Sequence, residues 1–339
     1  MISESMKKII LSQNLSRQET EDAFSQIMQG NTTDAQIAAF LTALMIKGET
    51  VDEITGAATI MRKLATAIHV KNKVILDTCG TGGSQKHGFN VSTLTALVVS
   101  AVGVTVAKHG NRSMTSKSGS ADLLEALGVN INVEPRITEK CINEIGIGFM
   151  FAPLFHKAMK YAIGVRRELG FRTIFNILGP LTNPAHTTHQ LLGVFNPALC
   201  KPMSMVLGNL GLKRALVVHG NDGLDEVTLS DSTIVYEMNN GKTDNYTITP
   251  EQFGLKRVQL EDIQISGLEE SKKVSLEILN GISSPKYDFV VLNSAFALYA
   301  AEYVSSINAG IEIAIEMLKK KKALDKLELL KKMTNADNT

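Results

Sequence analysis

From residue 3 to residue 68, apolar positions recur at intervals of three and four, the spacing of helices that each bury one face. The start signals agree with that period. Ser16-Arg-Gln-Glu19 and Thr50-Val-Asp-Glu53 each place a hydroxyl three residues before a carboxylate, the pattern in which both side chains satisfy orphan amides at a helix start. Thr33 opens the helix between them, and Gly30 and Gly48 stand where a glycine ends one. The segment therefore reads as about four short helices with no strand among them.

At Lys73 the pattern changes. Val74-Ile-Leu-Asp77 is a short apolar run entering a glycine loop, and it is followed by a helix-like stretch from Ser92 to Val102 and a β-branched run, Val104-Thr-Val-Ala107. Strand, loop, helix and strand in succession predict a parallel sheet. Further strands are predicted at Ile147–Phe151, Gln190–Phe195, Ala215–His219 and Ile234–Glu237, and helices at Ser120–Leu127, Thr138–Ile145 and Lys201–Leu210. Asn239-Asn-Gly-Lys242 predicts a hairpin turn leading into Tyr246-Thr-Ile248, because Asn and Gly tolerate positive φ. The C-terminal region returns to helix, and the run Lys319 to Lys322 reads as part of a solvated amphipathic helix whose apolar stripe is Leu324, Leu327, Leu329 and Leu330. The expected fold class is α/β: a small all-helical domain, residues 1–70, beside a larger α/β domain, residues 71–339, with a mainly parallel central sheet.

Composition narrows the function classes. The chain has 339 residues, 44% of them apolar and 20% charged, with 35 Lys and Arg against 34 Asp and Glu, a formal charge of +1. That balance fits neither a disordered chain nor a protein held by nucleic-acid phosphates. Cys79, Cys141 and Cys200 are too scattered for a disulfide framework and form no Cys-x-x-Cys pair, so a reducing cytoplasm is the expected location. The N-terminus does not read as a signal peptide. The weakly polar stretch Thr95–Ala107 is well short of the ~20 residues that span a bilayer, so neither membrane nor nucleic acid is an expected partner.

Candidate chemistry collects after the predicted strands. Gly80-Thr-Gly-Gly83-Ser84 follows the first, and Asn90-Val-Ser92-Thr93 then opens a helix; glycines allow close backbone approach, and helix-start amides favour an anion such as phosphate. The loop matches neither Gly-x-Gly-x-x-Gly nor the Walker pattern. Lys108-His-Gly-Asn-Arg-Ser113 and Ser116-Lys-Ser-Gly-Ser120 place cations and hydroxyls after the next strand, and ligands of parallel α/β sheets bind beyond the carboxyl ends of strands. Asp225 and Glu226 follow a third strand and are magnesium candidates, since Mg²⁺ is held by one or two carboxylates plus substrate phosphates. His156, within Phe151-Ala-Pro-Leu-Phe155-His156, and Arg166, within Gly164-Val-Arg166-Arg167, could hold an organic acid. Each element has a plainer reading: a tight turn, a solvated loop, surface acid, a structural histidine, surface arginines.

Taken in order and spacing, Gly80-Thr-Gly-Gly83, Asn90-Val-Ser-Thr93, Lys108-His-Gly-Asn-Arg112, Ser116-Lys-Ser-Gly-Ser120, Phe175-Asn-Ile-Leu-Gly-Pro180 and Asp225-Glu226 resemble the anthranilate phosphoribosyltransferases of tryptophan biosynthesis, from the helical start to about Gly310. The resemblance implies Mg²⁺-dependent transfer of a 5-phosphoribosyl group from phosphoribosyl pyrophosphate to the amine of anthranilate. Carried over motif by motif, Gly80, Gly83, Ser84, Gly88, Asn90, Val91, Ser92, Thr93, Lys108, His109, Gly110, Asn111, Arg112, Ser113, Met114, Thr115, Ser116 and Ser120 would hold the donor. Gly80, Asn111 and Arg166 would meet anthranilate, with His109, His156 and Pro180 nearby, and Ser92, Asp225 and Glu226 would reach two magnesium ions. The resemblance also implies a homodimer through the helical domain, that domain being completed by helices near residues 160–185. Two positions depart from the family pattern: Ser84 stands where an Asp is usual, and Gly88 where a Ser or Thr is usual.

Two alternatives share the architecture. A pyrimidine nucleoside phosphorylase would use free phosphate and has little use for paired metal carboxylates. A non-enzymatic nucleic-acid-binding relative would carry a basic groove and lack the acceptor residues Asn111 and Arg166.

Overall fold

Four helices, α1 (Ile2–Ile10), α2 (Arg17–Met28), α3 (Asp34–Lys47) and α4 (Val51–Leu64), precede the first strand in the computed structural model, which describes residues 2–82, 89–113 and 119–336. The caps form as the sequence predicts. Ser16 Oγ accepts from the Glu19 amide at 3.2 Å while Glu19 Oε2 accepts from the Ser16 amide at 2.9 Å. Thr50 and Glu53 repeat the exchange at 3.3 and 2.8 Å, and Thr33 does so with Gln36. Glu53 has a second use: fully buried, it also accepts from Lys47 Nζ at 2.9 Å and from the Leu15 amide at 2.9 Å, so one capping carboxylate ties three segments together.

The sheet has seven strands, β1 (Ile75–Gly80), β2 (Thr105–Gly110), β3 (Ile147–Phe151), β4 (His189–Gly193), β5 (Arg214–Gly220), β6 (Thr233–Asn239) and β7 (Lys242–Ile248), in the order β3-β2-β1-β4-β5-β6-β7. Pairing from β3 across to β5 is parallel, and β5-β6-β7 is antiparallel. Asn239 pairs with Lys242, and Asn240 and Gly241 between them have φ of +49° and +80°, the two positive values a two-residue hairpin turn requires.

Helices cover both faces. The remaining helices are α5 (Val91–Val102), α6 (Ser120–Ala126), α7 (Pro135–Ile145), α8 (Ala152–Phe155), α9 (Ile163–Leu169), α10 (Phe175–Leu178), α11 (Cys200–Asn209), α12 (Leu268–Leu279), α13 (Pro285–Ala300), α14 (Ile307–Lys319) and α15 (Lys322–Asn335). Alternation along β5 divides the core in two. Leu216 and Val218 pack with α5 and α13, whereas Ala215 and Val217 join Phe24, Phe40 and Met203 on the other face. Ala162, Val165, Phe175 and Leu178 belong to that second core, with the Phe175 ring 5.7 Å from Phe24. The segment after β3 therefore returns to pack on the N-terminal helices.

Three details differ from the sequence reading. β1 runs on to Gly80, and β2 runs on to Gly110, so Lys108 and His109 lie on a strand instead of in the loop after it. Pairing explains this, because β3 matches β2 through Gly110↔Phe151 and β4 matches β1 through Gly80↔Gly193. The Lys319–Lys322 run does not lie on one helix: Lys321 has φ of +57° and separates α14 from α15.

Candidate active site

Adjacent residues on β1 and β2 point to opposite faces of the sheet. Thr78 and Lys108 face α5. Lys108 is buried, and its Nζ donates to Thr78 O at 2.6 Å and to Ser92 Oγ at 3.3 Å. Ser92 lies in the first turn of α5, whose positive dipole end favours an anion. Burial pushes the Lys108 ammonium down while Asp77 holds it up. Thr93 Oγ1 is buried with no partner, and Asn90 Oδ1 accepts from Ser271 Oγ at 2.9 Å.

The glycine loop meets the acidic loop directly. Gly82 N donates to Asp225 Oδ2 at 3.0 Å. A Cβ on Gly80 would stand 2.5 Å from Asp225 Oδ2, and one on Gly193 would overlap the backbone carbonyl of Asp225, so both strand ends require glycine for the acidic loop to seat. Burial raises the Asp225 carboxyl. It raises Glu226 further, with Asp225 and Asp222 adding repulsion, and Glu226 Oε2 is buried with no hydrogen-bond partner. Two carboxylates crowded together with an orphaned oxygen are the environment a divalent cation relieves. Among the described residues no group of three or more His, Cys, Asp and Glu side chains is arranged to hold a metal; the donor set suits Mg²⁺, which completes its shell with water and substrate phosphate.

His109 lies on the opposite face from Lys108. Its Nδ1 is 3.2 Å from Gly179 O, its ring centroid is 5.0 Å from that of His156, and the Nε2 atoms of both rings are buried without a partner. Burial pushes His109 down to about 3, with His156, Lys108 and Arg62 adding repulsion, and burial pushes His156 down to about 4. Both imidazoles are therefore neutral near pH 7. Pro180, in the short turn after α10, accepts from Gln190 Nε2 through its carbonyl at 2.8 Å. Arg166, on α9, stands 5.1 Å from the Phe175 ring, and no carboxylate among the described residues pairs with it; burial lowers its pKa. A half-buried guanidinium without a counter-ion is set up for a carboxylate ligand.

The second polar loop is held by α6. Asp122 Oδ2 accepts the amides of Gly119 at 2.9 Å and Ser113 at 3.1 Å. Gly110 and Gly119 leave no room for a Cβ, which would collide with Ser120 Oγ and with Ser113 N respectively. Asn111 O accepts from Ser120 Oγ at 3.4 Å. Arg112 is held by α6 and β3: it makes a two-pronged ion pair with Glu125 at 2.8 and 3.1 Å and a third bond to Asp122 at 3.0 Å, and its guanidinium stands 5.6 Å from the Phe151 ring at the end of β3. The predicted site residues Gly83, Ser84, Gly88, Met114, Thr115 and Ser116 lie outside the described residues; Gly80 and Asp225 meet at the end of β1, Lys108 and Ser92 at α5, and His109 and His156 on the other face, whereas Arg112 is engaged by Asp122 and Glu125. The sequence reading did not single out Asp77, Asn183, Arg62 or Gly193. Asp77 carried a signal, as a carboxylate closing an apolar strand run; Arg62 and Asn183 carried none.

A helical bundle beside a mainly parallel sheet, whose strand ends bring a glycine loop against paired acids, is the architecture of a two-domain glycosyl transferase. The Glycosyl transferase family, helical bundle domain, matches residues 3–65, and the Glycosyl transferase family, a/b domain, matches residues 72–324. The chain is 51% identical over 336 residues to the anthranilate phosphoribosyltransferase of Acetivibrio thermocellus, covering 99% of this chain and 97% of that one. The crystal structure of the Thermus thermophilus anthranilate phosphoribosyltransferase superposes with a TM-score of 0.93 at 42% identity, over 97% of this chain and 99% of that one. The Saccharomyces cerevisiae enzyme in complex with PRPP and Mg superposes with a TM-score of 0.91 at 28% identity, over 99% and 98%. The chain belongs to the anthranilate phosphoribosyltransferase family.

Proposed function

We propose that the loops after β1, β2 and β5 hold phosphoribosyl pyrophosphate on the α5 side of the sheet, and that His109, His156, Pro180 and Arg166 hold anthranilate on the other. The reaction is Mg²⁺-dependent transfer of the 5-phosphoribosyl group of phosphoribosyl pyrophosphate to the amine of anthranilate, in tryptophan biosynthesis. The observation that carries the site assignment is the seating of Asp225 on the glycine loop, which puts metal-type carboxylates beside a phosphate-type cradle.

The bond from the anomeric carbon to pyrophosphate breaks, the bond to the anthranilate nitrogen forms, and the amine loses a proton. Bound Mg²⁺ neutralises charge on the departing pyrophosphate. Lys108, anchored on Thr78 and Ser92, is held fixed at the floor of the donor site and needs no reorganisation as charge develops. On the opposite wall the two imidazoles are neutral. An aromatic amine attacks only through its free electron pair, and imidazoles that stay unprotonated near pH 7 do not protonate it. Arg166 fixes the carboxylate and so orients the amine, and orientation is the contribution this site makes in place of a covalent nucleophile.

The same proposal includes two Mg²⁺ ions reached by Ser92, Asp225 and Glu226, and a division near residue 70 into a helical domain, completed by residues 160–185, and a donor-binding domain. It includes a homodimer through the helical domain, supported by Ile10, Leu11, Met45 and Ile46, which remain exposed on the packed pair α1 and α3 while Phe40 and Leu44 fill the core. A cytoplasmic location rests on three free cysteines. No helix among the described residues is long and apolar enough to cross a membrane.

The test mixes the protein with phosphoribosyl pyrophosphate, Mg²⁺ and anthranilate and follows anthranilate fluorescence. Loss of fluorescence is expected. No loss, with uridine or thymidine cleaved by phosphate instead, overturns the reading in favour of a phosphorylase.

A further inference from the structure

Asp77 and Asn183 are both completely buried and lie 106 positions apart in sequence. Asp77 lies on the same face of β1 as the acceptor wall. Its Oδ1 accepts from the His109 amide at 3.2 Å, and its Oδ2 accepts from Asn183 Nδ2 at 2.7 Å. Asn183 reaches further: Nδ2 also donates to Ala107 O at 2.8 Å, and Oδ1 accepts from the Ala185 amide at 2.9 Å. The turn this fastens begins at Gly179, the carbonyl partner of His109 Nδ1, and includes Pro180. His109 is thus tied twice to the same turn, once through its ring and once through Asp77 and Asn183.

We propose that Asp77 and Asn183 are positioning residues for the phosphoribosyl transfer: a buried carboxylate–carboxamide clamp that holds the Gly179–Asn183 turn and His109 in register, and so sets the shape of the anthranilate pocket. The clamp is costly in isolation. A buried carboxylate with partners removed loses its desolvation compensation, so its retention under the pocket needs its amide donors in place. Burial raises the Asp77 carboxyl, while the Lys108 ammonium, the Asn183 amide and the His109 N–H oppose that rise. A loosened turn moves one wall of an orientation-dependent site, and the donor side, wired through Thr78 and Ser92 on the other face, keeps its own anchors.

The inference rests on the acceptor assignment above, and Arg166→Ala serves as its control. In the full-length protein, Asn183→Asp sets a second carboxylate against Asp77 with little change in volume. The anthranilate KM is expected to rise about tenfold or more while the phosphoribosyl pyrophosphate KM moves less than about twofold, the signature of a displaced acceptor. Asn183→Ala is measured alongside and is expected to show the same split. The exchange Asp77→Asn with Asn183→Asp restores an amide–carboxylate bond between the two positions but not the bond to Ala107 O, so it is expected to recover part of the anthranilate KM lost in Asn183→Asp. Equal shifts in both KM values, a fall in kcat alone, or no recovery in the exchanged pair overturns the clamp. If Arg166→Ala itself leaves the anthranilate KM unchanged, the acceptor assignment is what has failed; a steep rise there with unchanged Asn183 variants removes the clamp alone. Should either single variant not fold, the exchanged pair carries the test: with the Ala107 bond still missing, a rise in the anthranilate KM without a matching rise in the donor KM supports the clamp, and equal shifts in both or wild-type values overturn it.

Discussion

The two faces of the central sheet solve different electrostatic problems with neighbouring residues of the same strands. On the α5 face, Thr78 and Lys108 are part of a polar cradle in which the cation is permanently anchored to a carbonyl and a hydroxyl. One residue further along β2, His109 points to the other face, where it packs against the neutral imidazole of His156 and its Nδ1 meets Gly179 O. A multiply charged donor needs fixed charge and metal at its leaving group, whereas a flat aromatic amine needs shape, one carboxylate anchor and an uncharged nitrogen. The two-residue alternation of a β-strand separates these environments without a long spacer between them.

The deepest cut to this division falls on the metal side. Asp225→Ala combined with Glu226→Ala is expected to abolish Mg²⁺-dependent turnover, a loss on the order of a thousandfold or more, since neutralising the leaving pyrophosphate lowers the barrier more than any other interaction at this site. A double variant with full activity would remove the metal role. On the acceptor face, Arg166→Ala is expected to raise the anthranilate KM by about 10- to 100-fold, as befits a hydrogen-bonded charge worth ~1.5–3 kcal/mol. Donor binding should stay near wild type. If the donor KM rose in step with the acceptor KM, the faces would not be separable in the way the geometry indicates.

What could be read from sequence was local, and what escaped was long-range. Capping boxes at Ser16 and Thr50 and the Asn240-Gly241 turn are written within four residues, and each forms as its chemistry dictates. The glycine and acidic loops were legible as candidates, but their meeting was not, because Gly193 is forced to be glycine by the backbone of Asp225 on another strand's loop. Lys108 and His109 resemble loop residues by polarity; only pairing on both sides of β2 shows that they are strand residues facing opposite ways. Asn183 finds Asp77 across 106 positions and Arg62 finds Leu181 O at 2.6 Å across 119, distances at which no periodicity carries information. Arg112 read as an anion ligand, and its capture by Asp122 and Glu125 depends on where α6 begins.

The two neutral, buried imidazoles have a measurable pH signature. His109 and His156 have folded pKa values lowered from 6.5 to about 3 and about 4. Below pH 6.5 the unfolded chain therefore binds protons that the folded chain refuses. Their stabilising contribution is complete above pH 6.5 and is lost as pH falls from there toward 4, with a slope approaching about two protons per molecule. Urea midpoints measured between pH 7.5 and 4.5 on wild type and on His109→Asn with His156→Asn separate the histidines from the carboxylates. The double variant should show a flatter decline; parallel curves would mean that the histidines are not held neutral by burial.

The smallest effect expected is the one that tests the donor face's exception. Arg112 is half exposed and engaged by two acids, and its raised pKa comes first from Glu125 and then from Asp122, with burial opposing. Asp122 also fastens the amides of Ser113 and Gly119, so it has a loop-closing use that Glu125 lacks. Glu125→Gln therefore removes a competitor for the guanidinium while leaving the loop closed. An exposed ion pair is worth about 0–1 kcal/mol, so freeing Arg112 should lower the phosphoribosyl pyrophosphate KM by at most about fivefold, with the anthranilate KM unchanged and the gain shrinking at high salt. A rise in the donor KM would instead show that Glu125 holds Arg112 where the donor needs it. Either direction of change keeps Arg112 on the donor side of the division, and a change confined to the anthranilate KM would move it to the other face.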